Sequence, residues 1–300
     1  LFEHGAPGSQ KIKLTRKYYT EDMPDGRVKH IVQNITDPDI VPYIPDGIGN
    51  STDRQRIPAV LIIPGGAFRR LVYNFEGEDV AKWLNSMGIA AFVLECRLPS
   101  DEHDNAEDVP LIDAMRAMRV IRGRAQEFGI DEAKIGVMGF SAGGFMAALL
   151  STAYESDVYA DYKYKDEYDK LSARPDFAVC SYPVISIDDC IEAGKRYMSE
   201  EQVLERISDG KAKILHKYNP DKLVRPDMPP VFICETDDDR TTLSENSVGF
   251  YMAARKAGVS AELHIFRTGG HGYGCGDDFA QTGEWKVLFT KWIKSIGIIS

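Results

Sequence analysis

KIGVMGFSAGGFMAALL, residues Lys134 to Leu150, sets one serine, Ser141, between an apolar run and a run of small residues, with Gly139 and Gly143 on either side of it. Two physical demands produce such a pattern. One is a tight strand-to-helix turn and nothing more. The other is a nucleophile elbow, where neighbours without side chains let the backbone bend sharply and hold one hydroxyl out. The spelling G-x-S-x-G does not choose between them, because at ordinary glycine and serine frequencies it arises by chance in about one chain in ten of this length. The surroundings must decide.

From Pro58 onward, short apolar runs alternate with longer amphipathic ones. AVLIIP (Ala59 to Pro64) reads as a buried strand, EGEDVAKWLNSMG (Glu76 to Gly88) as a helix closed by a glycine, and IAAFVLE (Ile89 to Glu95) as the next strand. LIDAMRAMRVIRGRAQEFG (Leu111 to Gly129) repeats its apolar residues at helical spacing before the strand KIGVMGF and a helix that starts at Ala142. DFAVCSYPVI, PVFICET and AELHIF continue the strands, ENSVGFYMAARKAG (Glu245 to Gly258) is a helix between the last two, and a final helix spans about Gly283 to Gly297. Buried strands joined by helical crossovers predict an α/β fold: a mainly parallel central sheet with helices on both faces. The polar-alternating segments KIKLTRKYY and RVKHIVQNIT predict an antiparallel N-terminal edge on that sheet. No repeat, linker or boundary divides residues 1–300, which read as one domain with surface insertions at about 154–172 and 186–229.

The 36 basic and 46 acidic residues give a formal charge of −10, which argues against nucleic acid as the main partner, since neutralising phosphates needs a basic face. No apolar run is long enough to span a membrane. The chain begins at Leu1 rather than Met, a hint of export that favours a secreted or periplasmic location over the cytoplasm. Five cysteines cannot all pair, and Cys96, Cys180 and Cys234 lie in apolar strand-like runs, so no disulfide framework is expected.

An activated serine needs a base, a carboxylate to orient that base, and donors for an oxyanion. In the elbow arrangement the order is serine, acid, histidine, with the last two on loops after late strands. After PVFICET comes Asp237-Asp238-Asp239, and after AELHIF comes RTGGHGYG with His271 among glycines. His271 is therefore the expected base. Asp238 is taken as the acid because the strand-end T-D-D pattern puts the orienting carboxylate second, with Asp237 and Asp239 left open. One oxyanion donor should be the N–H of Ala142, after the serine, and the glycine-rich loop Pro64-Gly65-Gly66-Ala67 supplies Gly66 and Ala67. Phe68, Arg69, Arg70, Tyr73 and Phe145 lie beside this site in sequence, and their aromatic members either stack on a sugar ring or pack in the core.

These residues, together with HGAPGS, EGEDVAKWLNSMGIAAFVLECRLP, SARPDFAVCSYPVIS and MPPVFICETDD, resemble the α/β-hydrolase esterases and lipases, and among them the acetylxylan esterase-like group. The resemblance covers nearly the whole chain. It implies the α/β-hydrolase fold, Ser141 as nucleophile, Asp238 as acid, His271 as base, and removal of short acyl groups, chiefly acetyl, from sugars or xylan-derived oligosaccharides. It calls for no metal or organic cofactor. The chain departs from the pattern at Phe145, where relatives often have histidine, at Cys234-Glu235, where His-Gly or His-Thr is common, and at Thr241 and Thr242, where valines are usual. A feruloyl or other carboxylesterase, a peptidase on the same scaffold, and a non-catalytic binding protein are the alternative readings.

Overall fold

The central runs of residues 59–63, 90–94 and 231–234 are apolar at every position and fully buried, because both of their faces are covered. The computed structural model describes residues 1–48, 56–196, 199, 201–202, 213–276 and 281–300. In chain order its strands are β1 (Lys17–Asp22), β2 (Val28–Gln33), β3 (Asp39–Tyr43), β4 (Ile57–Ile63), β5 (Leu71–Val72), β6 (Ala90–Glu95), β7 (Ile130–Phe140), β8 (Ala178–Ser181), β9 (Val231–Thr236) and β10 (Ala261–Phe266). The helices are α1 (Asp79–Ser86), α2 (Val109–Gly123), α3 (Ala125–Phe128), α4 (Ala142–Ala153), α5 (Ile187–Lys195), α6 (Lys213–Lys217), α7 (Ser244–Lys256) and α8 (Glu284–Ser295). None among the described residues is long and apolar enough to cross a membrane.

Among the described residues the main sheet runs β10-β9-β8-β7-β4-β6-β3, with every pairing parallel except that of β3 with β6. Successive side chains of a strand leave on opposite faces, and the core divides accordingly. Ala59, Leu61 and Ile63 of β4 join Phe92, Val137 and Ile233 in one apolar cluster, whereas Val60 and Ile62 join Val93, Met138 and Phe232 in another. Helices α2, α4 and α7 cover the first face, and α1 and α8 the second. The expected three-layer α/β arrangement is present.

The N-terminal segment differs in detail. The antiparallel edge of the main sheet is β3, whereas the two polar-alternating segments pair with each other and with β5 in a separate sheet, β1-β2-β5. Their polar alternation records a sheet with one wet face, which does not say what it pairs with. Of the expected insertions, the stretch beginning at Tyr154 contains a 3₁₀ turn, Glu167–Lys170, tied to α2 by Arg116 with Asp166 and Asp169. The 186–229 stretch contains α5 and α6, and residues 197–198, 200 and 203–212 of it lie outside the described ones.

Parallel strands send the loops after their C-terminal ends to one end of the sheet, where such folds place ligands. Pro64 to Ala67 follow β4, Ser141 follows β7, Asp237 to Asp239 follow β9, and His271 lies in the loop after β10. The bend after β7 requires close backbone approach. A Cβ on Gly139 would lie 1.9 Å from the carbonyl oxygen of Gly143, and one on Gly143 would lie 1.9 Å from that of Ile63. Glycine stands at both because no other residue fits.

Behind this end, Arg97 after β6 meets Asp113 of α2 with both side chains fully buried. Its Nη2 lies 2.6 Å from one carboxylate oxygen and its own N–H donates to the other at 2.8 Å. Its Nη1 donates to the Ser9 hydroxyl at 2.9 Å and to the Pro7 carbonyl, which pins the N-terminal segment to the core. Removing one partner strands a buried charge, at about 3–5 kcal/mol. Asp113→Ala should lower stability on that scale in urea unfolding at neutral pH, and a loss under about 1 kcal/mol, the range of a surface pair, would show that the charge is not held as described.

Candidate active site

Ser141 occupies the turn between β7 and α4 with φ 54° and ψ −118°, a backbone conformation that L-residues rarely adopt. Its N–H donates to the carbonyl of Ser181 at 3.0 Å, and its own carbonyl accepts from Phe145 of α4 at 3.0 Å. The surrounding structure therefore fixes the strained residue from both sides. Its hydroxyl lies 2.8 Å from Nε2 of His271.

The other ring nitrogen of His271, Nδ1, lies 2.6 Å from a carboxylate oxygen of Asp239. This corrects the expectation for Asp238. That residue is exposed, and its carboxylate accepts the backbone N–H groups of Gly269 and Gly270 at 3.0 and 2.8 Å. It anchors the loop that carries the histidine, whereas Asp239, next in the turn, points inward beneath His271. Asp239 also accepts the N–H groups of Thr241 and Thr242 at 2.7 and 3.0 Å and the Thr242 hydroxyl at 2.9 Å. Burial opposes its ionisation, but the bond from His271 and those from the two backbone N–H groups outweigh it and hold the carboxyl below its ordinary value. Nearby, burial first and the Asp239 charge second push Glu235 well above the usual carboxylate range.

A carboxylate on Nδ1 fixes the tautomer. Nδ1–H donates to Asp239, and the Nε2 lone pair is free to accept the Ser141 proton. Ser141, His271, Gly66 and Ala67 line one open cleft of about 540 Å³. Among the described residues the N–H groups of Gly66 and Ala67 donate to no protein acceptor, and Ala142 opens α4 directly after the serine. Gly66 has φ 137°, and a Cβ there would lie 2.2 Å from the Arg70 carbonyl oxygen, so the sharp loop demands glycine. A group with an attackable carbonyl, placed between the serine oxygen and these N–H groups, meets the requirements of acyl transfer.

Two residues packed beside the site carried no signal in the sequence. Glu76 is buried against the site, accepting the Gly65 N–H at 2.8 Å through one oxygen and the Tyr182 hydroxyl at 2.9 Å through the other. Tyr182 in turn accepts the Gly274 N–H at 3.0 Å, and its ring packs edge-on against His271 with centroids 5.0 Å apart. This pair ties the glycine-rich loop to the histidine loop. Burial raises the Glu76 pKa, against the opposing influence of Tyr182 and His271. In the sequence it reads only as an acidic residue at a helix start. Of the aromatics weighed for sugar stacking, Phe145 is fully buried and packs edge-on against buried Phe68, while the hydroxyl of half-buried Tyr73 lies 3.4 Å from that of Tyr43.

The BD-FAE family model matches residues 48–253. An acetylxylan esterase of Xylanibacter ruminicola is 31% identical over 240 residues, which is 79% of this chain and 45% of that protein. Endo-1,4-beta-xylanase B of Butyrivibrio fibrisolvens is 31% identical over 227 residues, 75% of this chain and 34% of that protein. The chain thus spans less than half the length of these two relatives. Among solved structures, an acetyl ester-xyloside bifunctional hydrolase from Caldicellulosiruptor lactoaceticus superposes with TM-score 0.69 at 38% identity, covering 88% of this chain and 89% of that one. A carboxylesterase from Lactobacillus plantarum, at 20% identity, shares the α/β-hydrolase fold with TM-score 0.71 over 96% of this chain and 99% of its own.

The contrast between the two aspartates can be read without any substrate. A fluorophosphonate should label Ser141, Asp239→Asn should slow labelling by about 10³-fold or more, and Asp238→Asn should stay within about tenfold of the parent. Equal rates for the two variants would refute the assignment. In the same assay Glu76→Ala, which strands the Gly65 and Tyr182 donors, should slow labelling by roughly 10²-fold, with Glu76→Gln recovering part of the loss.

Proposed function

The chain belongs to the BD-FAE family, and from that premise we propose that it is a serine carboxylic-ester hydrolase that removes short acyl groups, acetyl foremost, from acylated sugars or xylan-derived oligosaccharides. The observation that carries this reading is the continuous line of hydrogen bonds from the Ser141 hydroxyl through His271 to Asp239, set in a solvent-open cleft.

In the proposed mechanism Nε2 of His271 takes the Ser141 proton as the serine oxygen attacks the ester carbonyl. Asp239 stabilises the imidazolium that forms. The N–H groups of Gly66, Ala67 and Ala142 receive the developing oxyanion, a contribution worth about 10²–10³ in rate for one donor. As the bond from the carbonyl carbon to the sugar oxygen breaks, the imidazolium protonates that oxygen, which leaves as a hydroxyl, and the acyl group stays on Ser141. A water, deprotonated by the same histidine, attacks that acyl group and frees the acid. The names of the acetylxylan esterase and the acetyl ester-xyloside hydrolase support acetyl and xylan-derived substrates. The open cleft also admits a larger acyl group, so feruloylated oligosaccharides belong in the same test.

Acid release should be measured from acetylated xylan, acetylated xylo-oligosaccharides, acetylated monosaccharides and feruloylated oligosaccharides, with Ser141→Ala as the blank. Acetate release from the acetylated sugars, lost by about 10³-fold or more in the blank, is the expected result. Faster turnover of aminoacyl arylamides than of p-nitrophenyl acetate would overturn the esterase reading in favour of a peptidase.

A further inference from the structure

The carboxylate of Asp239 divides its bonds between its two oxygens. Oδ1 accepts the backbone N–H groups of Thr241 and Thr242 at 2.7 and 3.0 Å, which fixes the group from the main chain. Oδ2 accepts Nδ1–H of His271 at 2.6 Å and also, at 2.9 Å, the hydroxyl of Thr242. The imidazole therefore shares its carboxylate oxygen with a second, uncharged donor.

Thr242 is buried in the turn between β9 and α7. Its hydroxyl has one proton and three polar neighbours: Oδ2 of Asp239 at 2.9 Å, the Tyr182 carbonyl at 3.3 Å and Nδ1 of His271 at 3.3 Å. Oδ2 is the closest of these and carries the charge, and a charge-assisted bond is about twice as strong as a neutral one, so the proton goes there. One residue thus grips both carboxylate oxygens, by its N–H and by its hydroxyl, and holds Oδ2 against Nδ1. The same hydroxyl also draws on the negative charge of Oδ2, and a carboxylate already stabilised by another donor stabilises a neighbouring cation less.

We propose that Thr242 is a positioning residue for His271: its hydroxyl fixes Asp239 Oδ2 against Nδ1 and moderates the pull of that carboxylate on the imidazolium, so that His271 stays an unprotonated base to lower pH. This inference rests on the reading of Ser141, His271 and Asp239 given above and adds the pH range over which they work. Other groups act on the same ring. Tyr182 packs against it, Glu76 is close enough for its charge to interact with that of His271, and Arg27, Lys29, Arg69 and Arg70 share its cleft. Glu235 lies near Asp239, and Asp238 and Arg240 flank it in the turn. All of these remain when Thr242 alone is changed, so a difference between parent and variant reports the hydroxyl.

The rate of fluorophosphonate labelling of Ser141 and kcat/KM for p-nitrophenyl acetate should each be followed from about pH 4.5 to pH 9, where the acid limb reports protonation of the base. Thr242→Val keeps the shape and the backbone N–H but lacks the hydroxyl, and its acid limb should move up by about 0.5–1 pH unit in both profiles. Thr242→Ala packs differently but lacks the same hydroxyl and should shift the limb alike, whereas Thr242→Ser should restore it to within about 0.2 unit. A residue that only packs would lower the plateau and leave the limb in place. In the proton NMR spectrum of the valine variant, without any substrate, the Nδ1–H resonance should lie further downfield than in the parent, since that proton no longer competes for Oδ2. A limb that stays put, moves down, or is not restored by serine would overturn the role of Thr242, and p-nitrophenyl acetate turnover would then leave the esterase reading standing. A shifted labelling limb with no turnover of any ester would do the reverse, and no labelling of Ser141 would remove both.

Discussion

Everything at the Ser141 end of the sheet depends on three stretches of backbone touching where side chains cannot fit. The end of β4, the end of β7 and the first turn of α4 approach until the carbonyl oxygens of Ile63 and Gly143 fill the space where a Cβ would stand on Gly143 and Gly139. Only this proximity allows Ser141 to sit at positive φ with its N–H on Ser181 and its carbonyl on Phe145. The buried sheet supplies the restraint, and the bend supplies the exposed hydroxyl. Local strain of this kind persists where the rest of the structure over-determines it.

The acidic turn after β9 shows how two neighbouring residues of one type come to do different work. Asp238 holds backbone and Asp239 holds imidazole, and both tasks are needed because the histidine arrives on a loop rich in glycine, with little stiffness of its own. Glu76 and Tyr182 add a third restraint from the opposite side, through Gly65 and Gly274. Each hydrogen bond is modest, but together they remove the loop freedom that would displace the His271 imidazole from Ser141.

Much of this was legible in the sequence because it obeys short-range rules. The strand and helix periods along Ala59 to Phe140 reflect a sheet buried on both faces, and the glycines around Ser141 reflect an approach that their neighbours enforce. The order of serine, acid and histidine followed from strand ends gathering at one edge. The choice between Asp238 and Asp239 was not legible, since a turn can present either carboxylate inward and the deciding contact, with His271, is made 32 residues away along the chain. Glu76 was hidden for a related reason: its partners Gly65 and Tyr182 are 11 and 106 residues away. The pairing of β1 and β2 with β5 instead of the main sheet is likewise a long-range choice that polar alternation leaves undetermined.

The small sheet has a consequence for how such a protein can diverge. Its strands β1 and β2 precede every residue of the Ser141, His271 and Asp239 line, and β2 pairs with β5 just after the glycine-rich loop. Replacing Lys29 or Gln33 on that hairpin therefore recasts one side of the cleft, whereas Val32 and Tyr18 reach the core and Glu95 of β6. Lineages could drift in what that cleft admits without altering the Ser141, His271 and Asp239 line, because the two reside in separately paired pieces of the chain.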